Sequence, residues 1–256
     1  MSLARQLAKA LFALADTVLP SPLGPRILIY HQVGAGTGKQ TDLALSDFMW
    51  QVDWLVENRE IVDLETAIQR WDEPGSERFV VITFDDGYRD TFTTAYPILF
   101  RHSIPFTLYI STEMVASSDE TSLTWSQVGT MFESGLLTIG SHTHAHADLR
   151  RLGREAILEE MGEADDVIQR HLGLAPAHFA YPWGYWSETA DPIVRERYES
   201  AALGAASRAV TRLDPHLLHR FPVQLSDGKR WFRTRLNEGL VVEERVRRRL
   251  RGYRGP

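Results

Sequence analysis

Two acids, Asp85 and Asp86, stand side by side directly after the apolar run "FVVITF" (79–84). Adjacent carboxylates repel each other and lose solvation near a core, so a cation or a proton must relieve them. A single Asp-Gly would read as a turn with the acid capping the next helix; a doubled acid after a buried run goes beyond that. Residues 141–146 read "SHTHAH", which places three of the chain's nine histidines within six residues. His142 and His146 are four apart, a spacing that sets both rings on one face of a first helical turn, while His144 points elsewhere. Taken alone, this spacing also fits surface or core histidines. Two imidazoles and one carboxylate form a set that zinc accepts while keeping positions open for water. Water so placed becomes acidic enough to attack at neutral pH. One aspartate suffices for the ion, and the other is free to act as general base. The chain has no cysteine, which excludes disulfides and thiolate chemistry and leaves His, Asp and Glu to hold any metal.

Such residues need elements that bring them together. Strand-like runs occur at 26–30, 79–84, 105–110, 135–140, 177–181, 199–204 and 217–223. Helix-like segments at about 46–58, 90–101, 124–134, 153–172 and 188–198 lie between most of them. The alternation implies an α/β fold with a parallel sheet covered by helices. Seven strands in about 230 residues suggest a barrel or near-barrel rather than an open sheet, with chemistry at the carboxyl edge of the strands. Both the paired acids and the histidine cluster fall just past a strand, where that rule asks for them.

Two further strand ends carry candidates. "FAYPWGYW" (179–186) combines the backbone restriction of Pro182 and Gly184 with the flat faces of Tyr181, Trp183, Tyr185 and Trp186; aromatic residues clustered in a loop stack against pyranose rings, or simply pack under the loop. "LLHR" (217–220) offers His219 as a proton donor to a leaving group and Arg220 to orient a carboxylate.

The remaining composition sets bounds. Apolar residues make up 43% of the 256, enough for a sizeable core, and a net charge of −6 gives no reason to expect a nucleic-acid partner. Residues 1–25 read as an amphipathic helical extension that packs on the body, or that associates weakly with a membrane surface. Charge interrupts its apolar part too often for a membrane span, and no clear signal peptide stands out, which suggests the cytoplasm or the inner membrane face. The rest, 26–256, reads as one catalytic domain ending in an arginine-rich helix. Oligomeric state is left open.

Taken together, the motifs resemble the polysaccharide deacetylases of carbohydrate esterase family 4, which share the NodB homology domain, over about residues 26–225. "TFDDGY" (83–88) resembles the first family motif and "SHTHAH" the second. "FAYPWG" (179–184) resembles the third in the form found near poly-N-acetylglucosamine deacetylases. Smaller echoes are "ILIYHQV" (27–33), "LTW" (123–125) and "HRFPV" (219–223). The resemblance implies a distorted (β/α)7 barrel and a metal-dependent hydrolase that removes N-acetyl groups from N-acetylhexosamine residues of a glycan. It implies Asp85 as base, Asp86, His142 and His146 as ligands of a divalent metal (zinc first, cobalt or nickel as alternatives), and the main-chain N–H of Trp183 at the oxyanion. It implies His219 as acid, and Tyr181, Pro182, Trp183 and Trp186 as substrate-binding residues. The third motif departs from the common form: Ala180 stands where an arginine braces the base, and Arg220 is expected to restore that cation. No Asp-Trp pair of the fourth motif stands in 190–215. Hydrolysis of a non-sugar amide, or a decayed carbohydrate-binding protein, are the alternatives. An iron(II) oxygenase triad fits poorly, because that chemistry ordinarily uses a closer His-x-Asp/Glu spacing on an antiparallel scaffold.

Overall fold

The computed structural model describes residues 3–16, 24–117, 119–204, 213–237 and 240–250. Parts of the expected N-terminal extension (17–23) and of the arginine-rich end (251–256) lie outside the described residues. Seven strands form the centre: β1 (Arg26–Tyr30), β2 (Phe79–Asp86), β3 (Phe106–Ile110), β4 (Leu137–Ser141), β5 (His178–Ala180), β6 (Ser200–Leu203) and β7 (Leu218–Pro222). Each pairs in parallel with the next. β7 pairs with β1 through Ile27 opposite Arg220, and β1 pairs with β2 through Ile27 opposite Val81, so the sheet closes on itself. The result is a seven-stranded parallel barrel flanked by helices.

The strands read as nearly continuous apolar runs because both of their faces are buried. Six of the seven strands send a side chain into one interior cluster, Ile27, Val81, Tyr109, Ala180, Ala202 and Leu218. Their neighbours Leu28, Val80, Ile82, Leu108 and Ile139 point outward onto the helices, as the two-residue period of a strand requires.

The helices are α1 (Leu3–Asp16), α2 (Leu45–Asn58), α3 (Leu64–Gln69), α4 (Tyr96–Arg101), α5 (Thr112–Ala116), α6 (Trp125–Glu133), α7 (Arg154–Leu172), α8 (Asp191–Arg197), α9 (Gly228–Asn237) and α10 (Val241–Leu250). Local chemistry sets several of their ends. Thr124 and Gln127 form a reciprocal capping box at the start of α6, Asp63 caps α3, and α7 stops at Gly173, which takes a left-handed conformation. The segment expected as one helix over 90–101 is instead a π-helical turn (Thr91–Ala95) running into α4. Among the described residues, no helix is long and apolar enough to cross a membrane.

A buried ionic cluster ties the chain's two ends to the barrel. Asp227, just before α9, pairs with Lys9 of α1 and with Arg235 of α9 at 3.0 Å; Glu243 of α10 stands 3.9 Å from both cations. Lys9, Asp227 and Arg235 are all buried. Removing the central carboxylate leaves two buried cations with only a distant partner. Asp227→Asn is therefore expected to lower stability by roughly 3–5 kcal/mol in urea unfolding, the range seen when one partner of a buried ion pair is removed. A midpoint equal to that of the unaltered chain would mean that the cluster contributes nothing.

Candidate active site

The carboxyl edge of the barrel opens into a cleft of about 1160 Å³ whose wall includes Asp85, Asp86, His142 and His146. Asp85 and Asp86 are consecutive in β2, so an even pleat would send them to opposite faces. Asp86 has φ of 76°, in the left-handed region that L-residues seldom adopt. That rotation breaks the pleat and lets both carboxylates line the same cleft. Gly87 follows with φ of 122°, and a Cβ there would come within 2.8 Å of Val115; the turn needs glycine.

Asp85 faces inward and meets Arg220, which enters the barrel from β7. The pairing is bidentate, 2.6 Å from Nη1 to Oδ1 and 2.7 Å from Nη2 to Oδ2. Nη1 also donates to Thr83 Oγ1 at 3.1 Å, Nε donates to the Leu203 carbonyl at 3.1 Å, and the guanidinium lies 5.0 Å from the Tyr109 ring. Burial alone would raise the Asp85 pKa, but Arg220 first, then His142, and more weakly His31, pull it down to about 2. Asp85 is a carboxylate at any working pH.

His142 and His146 follow β4, on a loop and not on a helix as their spacing had suggested. β4 ends at Ser141, and the chain turns with Thr143 at φ of 65° and His146 at φ of 53°. Those two left-handed residues, not a helical repeat, bring the rings together, with centroids 4.9 Å apart. His142 Nδ1 lies 2.7 Å from the Ala180 carbonyl. A carbonyl only accepts, so Nδ1 carries the proton and the Nε2 lone pair faces the cleft. Burial, aided by His146, lowers the His142 pKa to about 4 against the pull of Asp85, which keeps that ring neutral.

Asp86 Oδ1 lies 3.6 Å from His142 Nε2 and 3.3 Å from His146 Nε2. The three donor atoms fall within 4.8 Å of one another. Asp86 Oδ1 is buried without a hydrogen-bond partner among the described residues, a costly state for a carboxylate oxygen unless a cation or proton relieves it. Donors about 2.0–2.2 Å from a tetrahedral ion stand about 3.3–3.6 Å apart, so these residues fit a divalent metal. His144 is turned away: its Nδ1 meets Thr112 Oγ1 at 2.8 Å and its Nε2 faces Glu163 at 3.5 Å.

Several expected residues stand elsewhere. His219 precedes Arg220 in β7, and since Arg220 points into the barrel, strand alternation sends His219 outward; it is not part of the cleft wall. Its expected place as the acid is corrected on that ground. Tyr181 is fully buried in the outer cluster with Phe179, Met161 and Leu203, so it has no free face for a sugar. Pro182 is buried at the start of the turn Pro182–Gly184, and Trp186 packs on that outer cluster while its Nε1 donates to Asp191 at 3.0 Å. Of the loop aromatics, Tyr185 lines the cleft and so does Trp183. Trp183 has φ of 62°, is 63% exposed, and lies 4.9 Å from the His146 ring. Its turn is held by Gly184 against Gly204, where a Cβ on Gly184 would come within 2.2 Å of backbone.

The cleft also holds residues that the motif reading passed over. His31 stands directly after β1 and lines the wall with Asp85. The signal was its place: it is the first residue past a buried strand, at the edge where chemistry was expected. Tyr88 and Glu113 line the cleft too, as do Lys39, Gln40 and Thr41 from the loop after β1.

Comparisons with known proteins agree with this fold. The polysaccharide deacetylase family model matches residues 72–199, half of the chain. YxkH of Bacillus subtilis is 28% identical over 206 residues, covering 79% of this chain and 71% of that protein. A poly-beta-1,6-N-acetyl-D-glucosamine N-deacetylase of Staphylococcus aureus is 22% identical over 187 residues, covering 68% of this chain and 64% of the enzyme. Among solved structures, IcaB from Ammonifex degensii superposes with a TM-score of 0.72 at 25% identity, over 82% of this chain and 94% of that one. The Streptococcus pyogenes deacetylase PplD, solved in complex with acetate, shares the fold at the same TM-score and 22% identity, over 83% and 97%. With its half-length family match, its closed seven-stranded barrel and its Asp-His-His cluster at the carboxyl edge, the chain belongs to the polysaccharide deacetylase family.

Proposed function

We propose that the protein is a metal-dependent carbohydrate N-deacetylase that releases acetate from N-acetylhexosamine residues of a polysaccharide or oligosaccharide. The observation that carries this reading is the convergence of Asp86, His142 and His146 beside an ionised Asp85 at the base of an open cleft. Asp86, His142 and His146 would hold the ion, with zinc the first choice and cobalt or nickel tolerated by the same donors. A divalent ion held there supplies Lewis acidity at the amide carbonyl.

The protein's own residues do the rest. Asp85 accepts the proton of the attacking water, and Arg220 keeps its carboxylate ionised and aimed. The Trp183 main-chain N–H helps hold the oxyanion. The departing nitrogen needs a proton, and His31 is the imidazole in the cleft wall placed to give it, the role that His219 cannot fill from the outer face. The exposed Trp183 ring, with Tyr185 on the same wall, offers a face for a pyranose ring. The Staphylococcus aureus relative's substrate, poly-β-1,6-N-acetylglucosamine, supplies the class of glycan to try first.

Three outcomes test this reading. Asp85→Asn is expected to abolish acetate release from N-acetylglucosamine oligosaccharides while still binding zinc in calorimetry, whereas His146→Ala loses both; full turnover in the first variant would remove the base. Arg220→Ala removes the cation that offsets burial, so the Asp85 pKa rises. The acidic limb of kcat/KM then moves to higher pH, and the loss, roughly 100-fold near neutrality, is greater in mildly acidic than in mildly alkaline buffer; an unshifted profile would show that Arg220 does not govern Asp85. His31→Gln should lower kcat by roughly 100-fold or more and His219→Gln change it by less than about twofold. The reverse ranking would return the acid role to His219.

A further inference from the structure

Helix α1 is mounted the wrong way round for an ordinary surface helix. Leu7, Leu11 and Leu14 are 58, 68 and 68% exposed, while Lys9 is 1% exposed and paired with Asp227 beneath the helix. At about 100° per residue the three leucines fall within about 60° of arc, and Lys9 lies about 200° from Leu7. A small rotation cannot exchange them. The fold commits a buried ion pair to hold Lys9 inward and the leucine stripe outward, the reverse of what solvent water favours.

The neighbouring helix supplies the opposite ingredient. α10 packs against α1, and from 243 to 254 the sequence carries two acids, Glu243 and Glu244, against six arginines, Arg245, Arg247, Arg248, Arg249, Arg251 and Arg254, in a protein whose net charge is −6; Arg247 pairs with Glu243 at 3.2 Å. Arg249 is exposed, and Leu250, at 83% exposure, lies beside it. Arg247 and Leu250 also line the mouth of the cleft. An outward leucine stripe on one helix and an arginine-rich sequence in the helix packed against it are the composition of a surface that lies in the plane of an anionic bilayer: the leucines enter the acyl boundary, and guanidinium groups meet lipid phosphates.

We propose that α1 and α10 together form a docking face for an anionic lipid surface, which sets the mouth of the cleft at the membrane plane. Docking depends on these two helices and not on the deacetylase reading, so vesicle binding and acetate release fail independently.

The test is co-sedimentation of the full chain with vesicles of phosphatidylcholine alone, or of phosphatidylcholine and phosphatidylglycerol in equal parts, at low and high salt. Partitioning is expected to be roughly tenfold stronger with phosphatidylglycerol and to weaken as salt screens the arginines. The triple variant Leu7→Gln, Leu11→Gln, Leu14→Gln should lose roughly tenfold of that binding, with an unchanged circular dichroism spectrum and unchanged acetate release from a soluble oligosaccharide. Equal partitioning into both vesicles by the unaltered chain, or binding by the triple variant equal to it, would overturn the proposal. So would leucine-dependent dimerisation in light scattering without vesicle binding, since a second copy would then be what covers the stripe.

Discussion

A guanidinium with no exposed surface sits inside the barrel, and the carboxylate that neutralises it, Asp85, sets the floor of the cleft. Neither group is tolerable alone at that depth: an unpaired buried charge costs several kcal/mol, and breaking such a pair by removing one partner costs roughly 3–5 kcal/mol. The bidentate geometry therefore locks the end of β2 against β7 across the barrel. From that lock the rest follows. With Asp85 committed inward, Asp86 reaches the same cleft only by leaving the pleat, and it does so with a left-handed backbone. Its carboxylate then meets the two imidazoles delivered from the end of β4.

Backbone strain is distributed accordingly. Among the described residues, six non-glycine positions have positive φ, and Asp86, Thr143, His146 and Trp183 are four of them. Each such position costs of order 1–3 kcal/mol unless the surroundings over-determine it. Here the surroundings do: the barrel fixes the strand ends, the His142 ring is held by the Ala180 carbonyl, and the Trp183 turn is seated by the close approach of Gly184 and Gly204. A stable closed sheet below thus supports a strained rim above, where donor atoms must converge at fixed separations.

The strands were legible in the sequence because parallel strands buried on both faces are short apolar runs; the runs read at 26–30 and 105–110 match β1 and β3 within a residue. Long periodic helices such as α2 and α7 were legible for the same kind of reason. The short α3 and α5 were not, since five or six residues show no period. At the site, Asp85, Asp86, His142 and His146 were found from residue type and position at strand ends, but the histidine spacing was read with a helical period where two left-handed residues do the work. His219 and Arg220 shared one expectation although a strand sends neighbours to opposite faces; parity alone allowed only one of them into the barrel. Tyr181 was misplaced likewise, since β5 and its continuation alternate Ala180 inward with Phe179 and Tyr181 outward. His31 lay within the echo "ILIYHQV" (27–33), but no role was attached to it there; its position past β1 was the physical signal.

Asp86, His142 and His146 are proposed to share one divalent ion. Zinc K-edge X-ray absorption on the protein loaded with a single equivalent of zinc tests it most directly. The expected coordination is two imidazole nitrogens at about 2.0–2.1 Å with the remaining ligands oxygen, a set that neither His142→Ala nor His146→Ala retains. A shell with no imidazole, or one left unchanged by both substitutions, would contradict it.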